Sequence, residues 1–138
     1  MEIKSLLENA HTIAVVGCSP RSTRASHKIA RYLQEQGYRV VPVNPHHEEL
    51  LGEPCYPDLQ SIPEGVKIDI VDIFRRPKFT HGVVLDAIER ATQTGRKPVI
   101  WTQIGVHSGE AQLAAEEAGF DYVANRCVLV ERQRFATP

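Results

Sequence analysis

Three times in this chain a helix-length amphipathic stretch stops at a glycine and gives way to a short apolar run. Ser26–Gln36 closes at Gly37 before Arg39–Val43, Thr80–Thr94 at Gly95 before Pro98–Thr102, and Ser108–Ala118 at Gly119 before Asp121–Ala124. Thr12–Gly17 (TIAVVG) and Ile68–Phe74 (IDIVDIF) are further apolar, β-branched runs. Runs that are apolar throughout belong to strands buried on both faces, and strands that alternate with helices pair in parallel. Glycine suits the position after a helix because left-handed backbone costs it little.

The pattern predicts an α/β fold, a Rossmann-like doubly wound parallel sheet of about five to six strands with helices on both faces. The first nine or so residues read as an extra amphipathic helix over the sheet. Pro42 places its strand, RVVPV, at an edge or an irregularity. Between Asn44 and Lys67 turn signals dominate, with one brief strand near Cys55-Tyr56.

A chain of 138 residues, 42% of them hydrophobic, fills a core without disulfides or metal, so residues 1–138 read as a single domain. Sixteen basic and seventeen acidic residues leave a net charge of −1, so no global field draws the protein toward nucleic acid or anionic membrane. Any anion site has to be local. The N-terminal MEIKSLLENAH is too charged for a signal peptide, and no apolar run has the length of a membrane span, so a cytoplasmic protein is expected. Cys18, Cys55 and Cys127 are odd in number and form no CxxC, which fits reduced thiols better than a disulfide framework or a zinc site. His46-His47-Glu48-Glu49 carries ligand-type side chains, but adjacent side chains diverge, and a polar loop is the simpler reading.

If the Cys55-Tyr56 strand lies beyond the second strand, the chain has to cross back and set Ile68–Phe74 on the far side of the first. Strand order then reverses between those two, and open parallel sheets hold ligands outside the carboxyl ends of the strands at such a reversal. GCSPRSTR after Val16 and RRP after Phe74 face each other there, bringing Arg21, Arg24, Arg75 and Arg76 around one crevice. The helix N-terminus near Ser26 adds unpaired N–H groups and partial positive charge. An anion is the expected occupant.

The dinucleotide fingerprint requires glycines where Ser19 and Ser22 stand, and an acidic residue near the end of the second strand, where this chain has Asn44-Pro45-His46-His47. A nicotinamide dinucleotide is therefore a poor match, and a phosphorylated ribose a better one. The pattern GxxxxGK[ST] is absent as well.

GCSPRSTRASH, VNPHH, EPCYPDL, VDIFRRP, WTQIGV and NRCVLVE, in that order, resemble the small stand-alone CoA-binding proteins, which are similar to the CoA-binding domain of the succinyl-CoA synthetase α subunit. The resemblance runs from about Leu6 to Glu131. It implies coenzyme A or an acyl-CoA as ligand, with Gly17, Cys18, Ser19, Pro20, Arg21 and Ser22 around the pantetheine–pyrophosphate portion. Arg24 belongs to the same anion site. Asn44, Pro45 and His46 would flank the adenosine phosphates, Phe74, Arg75 and Arg76 the adenine side, and Gln103, Ile104 and Gly105 would line the pocket from the later strand. In the synthetase that the chain resembles, the phosphorylated histidine lies on a second domain and the nucleotide site on another subunit, and the chain shows no carboxylate pair, no GxSxG elbow and no Cys/His pairing that spacing alone supports.

Three functions stay open at this level. The leading one is a non-catalytic CoA or acyl-CoA binding protein, acting on a small-molecule ligand without nucleic acid or membrane. The second is an enzyme, either a nicotinamide-dependent oxidoreductase or a CoA-thioester enzyme using Cys18; a buried loop thiol is the simpler reading of that residue. The third is an interaction subunit of an acyl-CoA synthetase. The apolar, β-branched CVLVE near the C-terminus is a candidate to pair across a homodimer.

Overall fold

The computed structural model describes residues 2–135. In chain order the elements are α1 (Ile3–Asn9), β1 (Thr12–Val16), α2 (Ala25–Glu35), β2 (Arg39–Val43), β3 (Glu49–Leu50), β4 (Glu53–Pro54), β5 (Ile70–Ile73), α3 (Pro77–Thr94), β6 (Val99–Thr102), α4 (Gly109–Glu117), β7 (Tyr122–Val123) and α5 (Val128–Gln133). Five strands form one parallel sheet in the order β2-β1-β5-β6-β7, and β3 and β4 form a separate antiparallel hairpin. The hairpin turns on Leu51 and Gly52, both at positive φ, as a two-residue turn of this kind requires.

Alternating residues of each strand feed two cores. Ile13, Val15, Val40, Ile70 and Trp101 pack under Leu7 of α1, Ile29, Ala30 and Leu33 of α2, and Val128 of α5. Ala14, Val16, Val41, Val71, Ile73 and Ile100 pack under Val84 and Ala87 of α3 and Ala111 and Ala115 of α4. Helices therefore cover both faces, and all five residues of β1 are buried. The strand order reverses between β1 and β5, as the sequence implied. β2 is the sheet's edge, the position in which Pro42 is tolerated. The strand expected at Cys55-Tyr56 is reduced to a single bridge between Tyr56 and Val43, beyond that edge.

Two boundaries differ from the sequence reading. α3 begins at Pro77 instead of Thr80, because proline's fixed φ and missing N–H suit the first helical position. CVLVE, read as a candidate dimer strand, is helical: Cys127 is the N-cap of α5. Val128 is fully buried, and its N–H donates to Gln103 Oε1 at 3.0 Å, so tertiary contacts override the β-branched propensity.

Two polar side chains on α3 order the turn-rich stretch before β5. Arg90 donates to the carbonyls of Leu59, Ile62, Pro63 and Val66, and Asp86 Oδ2 accepts from the Leu59 N–H at 2.7 Å. One further polar residue lies inside the sheet. Asp72 of β5, between Val15 and Trp101, is fully buried, and neither carboxyl oxygen has a hydrogen-bond partner among the described residues. Burial holds this carboxyl well above the usual carboxylate range, so the folded protein keeps it neutral.

Candidate functional site

The loops after β1, β2 and β5 meet at the carboxyl end of the sheet. Gly17 sits at φ +86°, and a Cβ there would lie 3.0 Å from Cδ of Arg75, whose side-chain stem lies against the glycine. Only glycine meets both demands at that position. Its N–H donates to the Val43 carbonyl at 2.9 Å, fixing the start of the β1 loop against the end of β2.

The loop then holds itself open with its own polar groups. Ser19 N–H donates to Ser26 Oγ at 2.9 Å, Arg21 N–H to Ser19 Oγ at 3.1 Å, and His27 Nδ1 to the Ser19 carbonyl at 2.9 Å. That last bond places the imidazole proton on Nδ1. Asn44 ties the two loops together: its Nδ2 donates to the Cys18 carbonyl at 2.9 Å, and its Oδ1 accepts from the His46 N–H at 2.9 Å. Asn44 thus spends its amide on positioning, where a dinucleotide site would present a free carboxylate to a ribose.

A cavity of 290 Å³ lies between these loops, walled by Gly17, Ser19, Pro20, Arg24, Asn44, Pro45, His46 and Arg75. Next to it, sharing Pro45 and Arg75, is a second cavity of 220 Å³ walled by Val16, Val43, Pro57, Asp58, Phe79, Gly82, Val83 and Asp86. The first is polar and cationic, the second mainly apolar with two carboxylates. Arg75 lies between them, its guanidinium 4.7 Å from the centre of the Phe79 ring. Arg76 and Lys78 also lie within cation–π range of that ring, at 5.8 Å and 5.1 Å. A larger cavity of 420 Å³, lined by Leu7, Gly37, Tyr38 and Arg132 among others, lies at the amino ends of β1 and β2, away from the end where such sheets gather ligand groups.

Charge at the first cavity is one-sided. Among the described residues, the ion pairs are His81–Glu110, Arg96–Asp69, Arg126–Glu131 and Arg134–Glu131, so Arg21, Arg24, Arg75, Arg76 and Lys78 have no carboxylate partner. α2 and α3 start at this end with no side-chain cap, whereas Ser108 caps α4 by accepting from the Ala111 N–H. Two open helix starts and the unpaired Arg24 and Arg75 make the first cavity electropositive, with Arg21, Arg76 and Lys78 exposed beside those helix starts.

The sequence-selected residues divide into groups. Gly17, Ser19, Pro20, Arg24, Asn44, Pro45, His46 and Arg75 come together on the first cavity. Arg21, Ser22 and Arg76 are exposed and lie off both cavity walls. The Cys18 side chain is fully buried in the core on the far side of its loop, so only its backbone belongs to the site. Burial first, and the neighbouring Cys55 second, push its thiol up to about 12, which leaves no thiolate for nucleophilic chemistry. Phe74 packs against the α2–α5 core. Gln103, Ile104 and Gly105 follow β6, off both cavities: Gln103 is buried against the start of α5, Ile104 is 67% exposed, and Gly105 N–H donates to Asn125 Oδ1 at 2.8 Å. Phe79, Gly82, Val83 and Asp86 were missed. They are one face of α3 at helical spacing, and the proline at position 77 was the signal that the helix began early enough to present them.

Residues 11–133 match a family model described as a CoA binding domain. The chain is 37% identical over 129 residues to the uncharacterized protein YneT of Bacillus subtilis (strain 168), across 94% of this chain and 90% of that one. A solved structure of a hypothetical protein from Pyrococcus horikoshii OT3 superimposes with a TM-score of 0.89 at 42% identity, over 98% of this chain and 90% of its own. A stretch of 59 residues is 39% identical to the ADP-forming acetate–CoA ligase I of Archaeoglobus fulgidus, spanning 43% of this chain and 9% of the ligase.

Proposed function

Since the chain belongs to the family of CoA-binding domains, we propose that it is a cytoplasmic, non-catalytic binding protein for coenzyme A or an acyl-CoA. It would carry, sense or sequester the ligand at the carboxyl ends of β1, β2 and β5. The observation that supports this reading is the pair Arg24 and Arg75, without carboxylate partners, lining a crevice flanked by two uncapped helix starts. A ligand bearing a diphosphate and a further ribose phosphate supplies the missing negative charge, and CoA itself supplies a thiol for carrying an acyl group.

In this arrangement the β1 loop and Arg24 hold the diphosphate through backbone N–H groups and a guanidinium. His46, fixed by its bond to Asn44, stands at the ribose phosphate. The pantetheine arm leaves along the end of β6, past exposed Ile104. Cys18, buried with its thiol raised to about 12, and Asp72, sealed in the sheet, support a role without catalysis. The experiment is mass spectrometry of small molecules that co-purify with the native protein. CoA or acyl-CoA is expected, and a nicotinamide dinucleotide in its place would overturn the reading.

One observation favours a second reading, a CoA-binding subunit of a synthetase-like assembly. The region shared with an ADP-forming acetate–CoA ligase spans 43% of this chain and 9% of the ligase. Co-purification of an acyl-CoA synthetase chain would favour this reading, and a protein that purifies alone would refute it.

A further inference from the structure

The apolar cavity beside the phosphate cradle carries a more specific assignment, which rests on the CoA reading of the crevice. We propose that the Phe79 ring is the stacking platform for the ligand's adenine, and that the Arg75 guanidinium covers this ring until it moves onto the ligand's phosphate.

The geometry sets this out. Among the described residues, Arg75 is the only charged side chain on both walls, with its stem against Gly17 in the cationic chamber and its guanidinium 4.7 Å from the Phe79 ring centre in the apolar one. Both Arg75 and Phe79 line the apolar chamber, so the side chain that reaches across the boundary occupies the space above an aromatic ring. An exposed cation–π contact is weak beside a charge-assisted bond from guanidinium to phosphate. A phosphate in the cradle therefore draws Arg75 off the ring, and the face it leaves takes a planar base, while Arg76 and Lys78, at 5.8 Å and 5.1 Å from the ring centre, stay beside it. At 220 Å³ the chamber has room for a bicyclic base and too little for a whole CoA molecule.

Charge fixes the direction of the ligand. The cationic chamber takes the phosphates, while Asp58 and Asp86 on the apolar chamber's wall repel them. The Asp86 oxygens each accept one bond, from the Leu59 N–H and from Gln60 Nε2, and each keeps a lone pair for a further donor. An exocyclic amine, as on adenine, meets that requirement.

Calorimetry with CoA, adenosine 3′,5′-bisphosphate and 4′-phosphopantetheine, on the wild type, Phe79→Leu and Phe79→Tyr, tests the assignment. Phe79 is 38% exposed, so neither substitution threatens the fold. Phe79→Leu is expected to weaken CoA and the bisphosphate by the same factor, roughly ten-fold, leaving 4′-phosphopantetheine unchanged, with Phe79→Tyr restoring the wild-type values. Equal loss for all three ligands, or no loss for any, would overturn the stacking role while the CoA reading stands. A wild-type protein that binds none of them would overturn both.

Discussion

Replacing Asp72 with asparagine isolates the most unusual group in the fold. The carboxyl is fully buried, has no hydrogen-bond partner among the described residues, and is kept neutral by burial well above the usual carboxylate range. In the unfolded chain it ionises near its ordinary value of 3.8. Above that pH the folded state therefore holds one proton more than the unfolded state. Its contribution is favourable at low pH and is lost as pH rises toward the folded-state value. The slope is about 1.4 kcal/mol per pH unit. An amide has nearly the same shape as the neutral acid and does not titrate, and every other ionisable group is common to both proteins. The stability of Asp72→Asn relative to wild type should thus grow by about 1.4 kcal/mol for each pH unit as pH rises above the ordinary carboxylate range, or roughly 5 °C of melting temperature per unit, until the folded-state carboxyl itself ionises. Urea unfolding at several pH values measures this. Parallel curves, with a difference independent of pH, would show that Asp72 is ionised or hydrated in the folded protein and would refute the argument.

Two other perturbations bear on the site. Gly17→Ala puts a Cβ into left-handed backbone and against the Arg75 stem, so a stability loss of about 1–2 kcal/mol is expected in denaturation, together with weaker CoA binding because Arg75 is displaced. Full stability and affinity would refute the contact. With iodoacetamide at pH 8, peptide mapping should find half-buried Cys127 modified well before Cys18, whose thiol is raised to about 12 by burial and Cys55. Modification of Cys18 at the rate of a free thiol would reinstate it as a nucleophile.

The sheet was legible because its strands are apolar on both faces and each long helix ends at a glycine, and those two signals also fixed the crossing at which the crevice forms. Arg24, Arg75 and the β1 loop followed from that topology. CVLVE was misread because a short β-branched segment carries no period of its own. The bond from Val128 N–H to Gln103, 25 residues away in the chain, decides for helix and leaves no local mark. Phe79 was hidden by a helix start placed three residues late, despite Pro77. Asn44 and His27, polar residues beside an anion site, turn out to stitch loops together, a role that depends on partners 26 and 8 residues away. The side chain of Cys18 could not be oriented from sequence, since a loop residue next to a buried strand faces either the core or the ligand.

The most direct test of the account is calorimetric titration of the purified protein with CoA and acetyl-CoA, at two temperatures so that a vanishing enthalpy does not hide binding. Saturable one-to-one binding is expected, weakened at least several-fold by Arg75→Ala and further by raised salt, as for an anion held by arginines. No heat with either ligand at both temperatures, or binding indifferent to Arg75 and to salt, would contradict it.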